Sequence, residues 1–260
     1  MITKVVVGGA TGKLGRMVCD MITASEDLRL TGATVSENGG NIGREISRGI
    51  VASGPMTLKK LLEDADVYVD LTTPSAASAT VASVPETGTN LILGTTAVDA
   101  VTMEALAAAV REHGTSAVVS ANFAVGINVF LKMCEILAGY LPDYDVEIIE
   151  AHHSSKKDSP SGTAREALRR LQAATGIENV SYGREGVAGP RGREIGMHSV
   201  RAGGIVGDHT VLFGNSNEVI ELTNRAISRE ALASGCLRTI RWVAGKKDGK
   251  LHSMSEVLGL

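Results

Sequence analysis

Apolar and polar positions in the first half of the chain fall into two alternating kinds of segment. Short runs rich in β-branched residues predict buried strands at ITKVVV (2–7), LRLTGATV (28–35), DVYVDLT (66–72), NLILGTT (90–96) and SAVVSANF (116–123). Between them the pattern predicts helices over residues 13–24, 58–65, 75–84 and 99–112. Strands that alternate with helices predict an α/β fold with a parallel sheet and right-handed crossovers.

The pattern changes after residue 122. Helices are predicted over GINVFLKMCEILAGYL (126–141), AREALRRLQAA (164–174) and SREALASGCLRTIRWVAG (228–245), and a strand over DVEIIEA (145–151). MHSVRAG (197–203), HTVLFG (209–214) and EVIELT (218–223) resemble strands with no helix between them, which favours antiparallel pairing. The second half is therefore predicted to be an α+β layer with an open sheet.

Composition narrows the classes of function. The chain has 260 residues, 43% hydrophobic and 21% charged, which is typical of a soluble protein with a large core. A net charge of -3 argues against nucleic acid or an anionic membrane as a partner. No apolar run reaches about 18 residues, so no membrane span is predicted. The three cysteines are widely spaced and the chain begins MITKVVVGG, so we expect reduced thiols, no metal site and a cytoplasmic location.

A glycine-rich turn links the first predicted strand and helix. In GGATGKLG, Gly9, Gly12 and Gly15 follow the spacing G-x-x-G-x-x-G. Glycine permits a tight turn and lets the backbone approach a pyrophosphate, which the amides at a helix N-terminus can bind. The turn therefore predicts nucleotide binding. The alternative is a tight turn that serves only close packing of the helix on the sheet.

The ends of three other predicted strands point to the same edge of the sheet. The second strand ends at Ser36 and Glu37, one of which would meet the adenosine ribose, unless both are solvated turn residues. Small polar residues end two further strands, namely Thr72 and Thr73, and Gly94, Thr95 and Thr96. Ligands of open α/β sheets bind outside such strand ends. Short hydroxyl side chains there leave room for a nicotinamide, although threonine before proline is also ordinary in turns.

The stretch EIIEAHHSSKKDSPSGTA (147–164) concentrates titratable residues between a strand and a helix. His152 and His153 lie where the strand ends, and Lys156 follows in a loop. Ser161 is placed to cap a helix whose first turn, including Gly162 and Thr163, offers free amides. These groups suit a small dicarboxylate, and a histidine beside them can exchange a proton near neutral pH. The alternative is an exposed charged loop before a capped helix.

This stretch resembles the signature of the 4-hydroxy-tetrahydrodipicolinate reductase family, E-x-x-E-x-H-H-x-x-K-x-D-x-P-S-G-T-A, at each fixed position. The resemblance extends over the whole chain. It includes GATGKLG (9–15), GTT (94–96), ANFAVGINV (121–129), VRAGGIVGDHTVLF (200–213) and the closing VLGL (257–260). The family reduces a cyclic dicarboxylic imine in the diaminopimelate–lysine pathway: water leaves, hydride reaches ring C4 and the adjacent carbon is protonated.

The resemblance implies a role for each matching residue. His152 would be the acid/base residue with Lys156 as its proton-donating neighbour, and the substrate carboxylates would contact His153, Lys156, Ser161, Gly162 and Thr163. The cofactor phosphates would lie against Gly9, Thr11, Gly12, Lys13 and Leu14, and the nicotinamide side against Gly94, Thr96, Ala121, Asn122 and Phe123. NADH or NADPH, or both, would be the cofactor.

The resemblance also implies an architecture. Residues 1–123 and 233–260 would form a Rossmann-type, doubly wound dinucleotide-binding domain. Residues 124–232 would form an α+β domain with an open mixed sheet, which binds substrate and assembles a homotetramer. Other oxidoreductases of this shape, or a non-enzymatic dinucleotide sensor, would keep the glycine turn but have no need of the whole histidine–lysine–serine constellation.

Two departures from the family pattern leave the cofactor preference open. Many members carry an acidic and then a basic residue where this chain has Ser36 and Glu37, and an arginine where it has Thr73. After Ser36 no basic residue occurs before Arg44, although Lys13 and Arg16 lie near the glycine turn and could reach the 2′-phosphate of NADPH. The 2′-phosphate of NADPH favours an arginine or lysine partner. We therefore expect NADH to be used at least as well as NADPH.

Overall fold

The computed structural model describes residues 2–260. The strands are β1 (Thr3–Gly8), β2 (Leu28–Thr34), β3 (Glu45–Ser47), β4 (Ile50–Val51), β5 (Val67–Asp70), β6 (Asn90–Leu93), β7 (Ala117–Val119), β8 (Asp145–His152), β9 (Val180–Ser181), β10 (Ile195–Arg201), β11 (Gly207–Gly214), β12 (Val219–Ala226) and β13 (Leu251–His252). The helices are α1 (Lys13–Thr23), α2 (Leu58–Leu62), α3 (Pro74–Thr80), α4 (Ala100–His113), α5 (Val125–Tyr140), α6 (Gly162–Thr175), α7 (Glu230–Val243) and α8 (Met254–Leu258).

The chain divides into two compact units. The first comprises the described part of Met1–Ala124 together with Glu230–Leu260, and the second is Val125–Arg229. No helix among the described residues is long and apolar enough to cross a membrane. A fold alone does not show which ligand it binds. Dinucleotide binding by the first segment and substrate binding by the second therefore stay predictions.

The first unit is built on a six-stranded sheet in the order β13-β7-β6-β5-β1-β2, in which every pairing is parallel. This confirms the predicted Rossmann-type sheet. The chain runs from β1 to β2 on one side and then crosses to β5 on the other. The carboxyl ends of β1 and β5 therefore flank a switch point, where ligands of such sheets bind.

Side-chain alternation along these strands produces two apolar faces. Val6, Tyr68 and Leu91 belong to a buried cluster with residues of α2, α3 and α4. Val5 and Val7 point to the opposite face and are fully buried. A sheet buried on both faces explains why these strands have nearly continuous apolar runs rather than alternating ones.

Several elements of the first unit are shorter than the sequence pattern predicts, including α2, β5 and β6. The helix predicted over residues 75–84 is α3, which ends at Thr80 and continues as a 3₁₀ turn over Val81–Ser83. The strand predicted over residues 116–123 pairs only over Ala117–Val119. The residues that follow this strand leave the sheet, and Ser120 and Asn122 bond to each other in a turn.

The second unit contains a mixed five-stranded sheet in the order β12-β11-β8-β10-β9. β11 pairs antiparallel with both β12 and β8, but β10 pairs parallel with β8. The expectation that the last three long strands would all pair antiparallel is therefore wrong for β10. The reason is that β8 lies between β10 and β11, so β8, α6 and β10 form a parallel crossover. The open mixed sheet itself is confirmed.

Both long helices of the second unit pack on one face of its sheet. Val146, Ile148 and Glu150 alternate along β8 and are completely buried, while Glu147 and Ile149 between them are partly exposed. Helix α6 begins at an N-cap, Ser161, and ends before a glycine in the left-handed conformation, as its sequence predicts. The buried face of β8 thus leads directly to the start of α6.

Candidate functional site

The glycine turn of the first unit has no space for side chains at two positions. Gly9 has φ +74°, and a Cβ added there would lie 2.3 Å from the carbonyl oxygen of Leu71. A Cβ on Gly15 would lie 2.2 Å from the carbonyl oxygen of Gly9. Because real Cβ atoms do not approach so closely, both glycines are required for the turn to pack against β5 and α1.

The start of α1 presents backbone amides without a side-chain cap. Its N-cap residue, Gly12, has extended backbone angles and makes no side-chain cap bond. The first amides of a helix have no carbonyl partner within the helix and carry the positive end of its dipole. Thr11 and Lys13 are exposed beside them, and Leu14 is half-buried. This arrangement fits a phosphate group.

A buried carboxylate organises the strand ends at this edge. Asp70, the last residue of β5, is completely buried and accepts hydrogen bonds from the hydroxyls of Thr72 at 2.9 Å and Thr95 at 2.5 Å. The Tyr68 hydroxyl also donates to it at 3.2 Å, and burial together with the Asp70 charge raises the pKa of this phenol. The two threonine hydroxyls therefore already have an acceptor inside the protein.

The remaining predicted cofactor residues occupy the same edge. Gly94 is required because a Cβ there would lie 2.7 Å from the ring of Phe123, which is itself buried. The Asn122 side chain accepts from the amide of Ala124 at 2.9 Å and shapes the turn after β7. Four further predicted residues are exposed, namely Ser36, Glu37, Thr96 and Ala121. Glu37 begins a 3₁₀ turn over Glu37–Gly39.

The second unit places a histidine against a buried carboxylate at the end of β8. His152 Nδ1 lies 2.5 Å from Oε2 of Glu150, whose side chain is fully buried. Arg201 donates to both oxygens of Glu150, at 2.9 and 2.7 Å. The amide of Ser161 adds a fourth contact, 3.2 Å from Oε1. Burial opposes ionisation of Glu150, but hydrogen bonds from Arg201, Ser199 and His152, together with the charge of Arg201, outweigh it and hold the pKa of Glu150 at about 2.

A second histidine lies beside this group. His209 is 4% exposed, and its ring packs edge-on against that of His152 with centroids 5.2 Å apart. Its Nε2 lies 3.1 Å from Oγ of Ser161, and Ser161 Oγ also accepts from the amide of Ala164 at 3.2 Å. Burial, reinforced by the neighbouring His152, lowers the pKa of His209 to about 4. His209 is therefore neutral at pH 7.

The other predicted substrate residues lie in the loop before α6 and in its first turn. Lys156 is partly buried and donates to Asp158 at 2.8 Å, while His153 Nδ1 lies 2.8 Å from the hydroxyl of Ser155. Gly162 is exposed and Thr163 half-buried in the first turn of α6. The structure thus gathers a histidine, a lysine and a helix N-terminus within one unit.

Comparison with known proteins identifies the family of this chain. Residues 3–123 match the family described as dihydrodipicolinate reductase, N-terminus, and residues 126–258 match its C-terminus. The chain belongs to the dihydrodipicolinate reductase family. A relative named 4-hydroxy-tetrahydrodipicolinate reductase from Methanosarcina mazei is 42% identical, covering 97% of both chains. A relative of the same name from Methanocaldococcus jannaschii is 41% identical, covering 99% of this chain and 97% of the other.

A solved dihydrodipicolinate reductase extends the comparison to structure. The enzyme from Paenisporosarcina sp. TG-14, determined with dipicolinate bound, superposes with a TM-score of 0.84 at 25% identity. The alignment covers 98% of this chain and 99% of that one. Membership of the dihydrodipicolinate reductase family thus rests on sequence and on fold together.

The sequence analysis does not identify the side-chain contacts of four residues of the site, namely Asp70, Glu150, Arg201 and His209. A local signal existed for Glu150, because it lies two positions before His152 on a strand and therefore on the same face. Arg201 is 51 residues from Glu150, and His209 is 48 residues from Ser161. No local pattern in a dihydrodipicolinate reductase sequence connects positions so far apart.

Proposed function

We propose that this protein reduces 4-hydroxy-tetrahydrodipicolinate to tetrahydrodipicolinate with loss of water, using a nicotinamide dinucleotide, in the diaminopimelate and lysine pathway. Its curated relatives carry that name, and its structural neighbour holds dipicolinate, a planar dicarboxylate. The observation that carries the proposal is the contact of His152 with ionised Glu150 beside the start of α6. It supplies a proton donor next to a place for carboxylates.

The cofactor is proposed to bind the first unit. A bound reduced nicotinamide supplies the hydride that reaches ring C4. The amides around Gly12, Lys13 and Leu14 bind its phosphates, since no side chain caps this helix end. Residues of the same edge bind the remainder, namely Gly9, Thr11, Ser36, Glu37, Thr72, Gly94, Thr95, Thr96, Ala121, Asn122 and Phe123.

The substrate is proposed to bind the second unit. The first-turn amides of α6 and the hydroxyl of Thr163 bind one carboxylate, because a helix N-terminus favours an anion. Lys156 and His153 bind the other, with Ser161 and Gly162 shaping the turn. His152 then donates a proton to the ring carbon beside the one that receives hydride. Lys156, which now pairs with Asp158, is the second proton-donating group.

Replacement of His152 tests this function. In His152→Gln we expect kcat to fall by about 10²-fold to 10⁴-fold, the usual contribution of a positioned proton donor. NADH affinity should be retained. The matched control is His198→Gln, because His198 also contacts a strand β8 carboxylate, Glu147, at 2.7 Å. A normal turnover number in His152→Gln would remove this histidine from the mechanism.

NADH is proposed to serve at least as well as NADPH. The exposed carboxylate of Glu37 lies just beyond β2, where it would repel a 2′-phosphate. Steady-state kinetics with both cofactors at one salt concentration test this, since salt screens phosphate contacts. A tenfold or greater advantage in kcat/KM for NADPH, an order-of-magnitude threshold of about 1.4 kcal/mol, would contradict it.

The second unit is proposed to assemble a homotetramer through its sheet. Along β12 the residues alternate between exposed and half-buried, and Val219 is 64% exposed, so this edge strand has apolar surface to cover. Light scattering of the purified protein measures the assembly. The three cysteines are free and buried, which suits a reducing compartment, so we also propose a cytoplasmic location.

A further inference from the structure

We propose that Glu150 is the positioning residue for His152, and that it fixes the ring so that Nε2 is the atom that gives the proton to the substrate. The inference rests on the proposed function only in taking His152 as the proton donor. Four features of the second unit carry it: the strand that bears both residues, the ion pair of Glu150 with Arg201, the absence of a side chain at Gly207, and the neutral ring of His209.

Strand geometry brings the carboxylate to Nδ1 of the ring. Glu150 and His152 are two residues apart on β8, so their side chains leave the same face of the sheet. Oε2 of Glu150 lies 2.5 Å from Nδ1, and the side chain of His152 is 12% exposed. A ring bound through Nδ1 directs Nε2 away from the carboxylate.

Hydrogen bonds from Arg201 keep Glu150 ionised, so its carboxylate accepts hydrogen bonds and donates none. Arg201 pairs in register with His152 on the neighbouring strand β10 and contacts both oxygens of Glu150. Its guanidinium also donates to the carbonyl of Asp158 at 2.8 Å, which anchors it on a second side. An ionised carboxylate can only accept, so the proton of the Glu150–His152 hydrogen bond must reside on Nδ1. After His152 has given up a proton, Nε2 is therefore the bare nitrogen.

Gly207 leaves space beside Nε2. A Cβ on Gly207 of β11 would lie 3.1 Å from Nε2 of His152 and 3.4 Å from Cδ2. The residue is the buried first residue of β11 and its φ is not positive, so no left-handed backbone conformation requires glycine here. The glycine instead keeps a methyl group from pressing on the nitrogen that faces away from Glu150.

Charged and polar groups face His152 from each element that packs against it. Glu150 faces it from its own strand, Arg201 from β10 and His209 from β11, while the charges of Asp208 and Lys156 act on His209. His209 packs on the ring but is neutral at pH 7, so it adds no positive charge beside an imidazolium. The carboxylate of Glu150 is the group in direct contact with the ring nitrogen.

Glu150→Gln should reverse the tautomer of His152. In the glutamine, an amide oxygen at the Oε1 position can still accept hydrogen bonds from Arg201 and from the Ser161 amide. The Oε2 position contacts Arg201 and His152. The orientation of the glutamine that loses the fewest hydrogen bonds therefore places the amide nitrogen toward His152. That nitrogen donates to Nδ1, and the neutral ring then carries its proton on Nε2.

The experiment combines kinetics with ¹⁵N NMR of histidine-labelled protein at alkaline pH, where ring nitrogen shifts identify the tautomer. His152→Gln assigns the signals of His152. In Glu150→Gln we expect the neutral proton to move from Nδ1 to Nε2 and kcat to fall by about 10²-fold to 10⁴-fold, with little change in KM. The matched control is Glu147→Gln, which removes a carboxylate from the other face of β8 where Arg184 and His198 contact it. It should change neither the tautomer of His152 nor kcat.

The outcomes separate this inference from the proposed function. An unchanged tautomer in Glu150→Gln would overturn the positioning role of Glu150 and leave His152 as donor. A reversed tautomer with normal kcat would overturn this inference, because donation from Nε2 would then not be required, while the kinetics of His152→Gln would still decide whether His152 is the donor. Gly207→Ala supplies an independent result if Glu150→Gln does not fold. It should keep the tautomer and lower kcat by about tenfold, because the ring must give by a few tenths of an ångström and a displacement of about 1 Å costs about 10²-fold. A normal kcat would contradict donation from Nε2.

Discussion

Acidification should weaken the second unit through His209. Burial holds the pKa of this imidazole at about 4, against an ordinary value of 6.5. The folded state therefore binds fewer protons than the unfolded state between these values, so the stabilisation is complete above pH 6.5 and is lost as pH falls toward 4. The full difference corresponds to about 3 kcal/mol, of which about 2 kcal/mol is lost between about pH 7 and pH 5.

His209→Phe isolates this contribution. Phenylalanine preserves an aromatic ring against His152 and Phe130, whose centroid lies 6.4 Å away, but cannot take up a proton. Hydrogen exchange of the β8 and β11 amides, corrected for intrinsic rates, gives the free energy of opening this unit at each pH. The wild-type value should fall by about 2 kcal/mol more than the variant value between about pH 7 and pH 5.

The matched control distinguishes a lost titration from lower stability. Phe213 is completely buried on the same face of β11, so Phe213→Leu should weaken the unit by a similar amount at every pH. The change of its opening free energy with pH should equal that of the wild type. If the free energy of opening changes equally with pH in wild type and in His209→Phe, the reasoning is refuted, because His209 would then have the same pKa in the folded and unfolded states.

Three further predictions concern the proposed ligand sites. Thr163→Val removes a hydroxyl at the start of α6 and should weaken substrate binding by about 1–3 kcal/mol without changing NADH affinity. Loss of NADH binding instead would mean that α6 has been assigned to the wrong ligand. If NADH is preferred, Glu37→Arg should raise the kcat/KM ratio of NADPH to NADH, and no movement would mean that this side chain does not face the ribose. Gly15→Ala forces a Cβ to within 2.2 Å of the Gly9 carbonyl oxygen. It should cost the first unit about 1–3 kcal/mol and weaken NADH binding measured by fluorescence titration, and unchanged affinity would contradict the role of the turn.

Features that depend on neighbours along the chain follow from the sequence alone. The parallel sheet of the first unit is predictable because buried strands and helices alternate with different hydrophobic periods. Ser161 is predictable as a helix cap because its hydroxyl and the amide that it accepts from are only three residues apart. The glycine turn is equally local, since Gly9 and Gly15 are confined by the backbone of their own turn and of the adjacent strand end.

Features that depend on distant partners required the tertiary structure. The parallel pairing of β10 was missed because β8 occupies the position between β10 and β11, and periodicity within a strand carries no information about its neighbour. The sequence places Thr72 and Thr95 at strand ends, but only the structure shows that Asp70 accepts a hydrogen bond from both hydroxyls. Strand order, rather than composition, decides which side chains meet there.

The histidine stretch shows the division most clearly. Its residues alone indicate an anion site with a proton donor, because the types and spacing suit that chemistry. The tautomer of His152 depends instead on Glu150, whose ionised state depends on Arg201, a residue brought alongside only by the β8–β10 pairing. A neutral His209 likewise requires burial under the helices of its unit. Protonation states are set by burial and by charges close in space, and a linear sequence records neither.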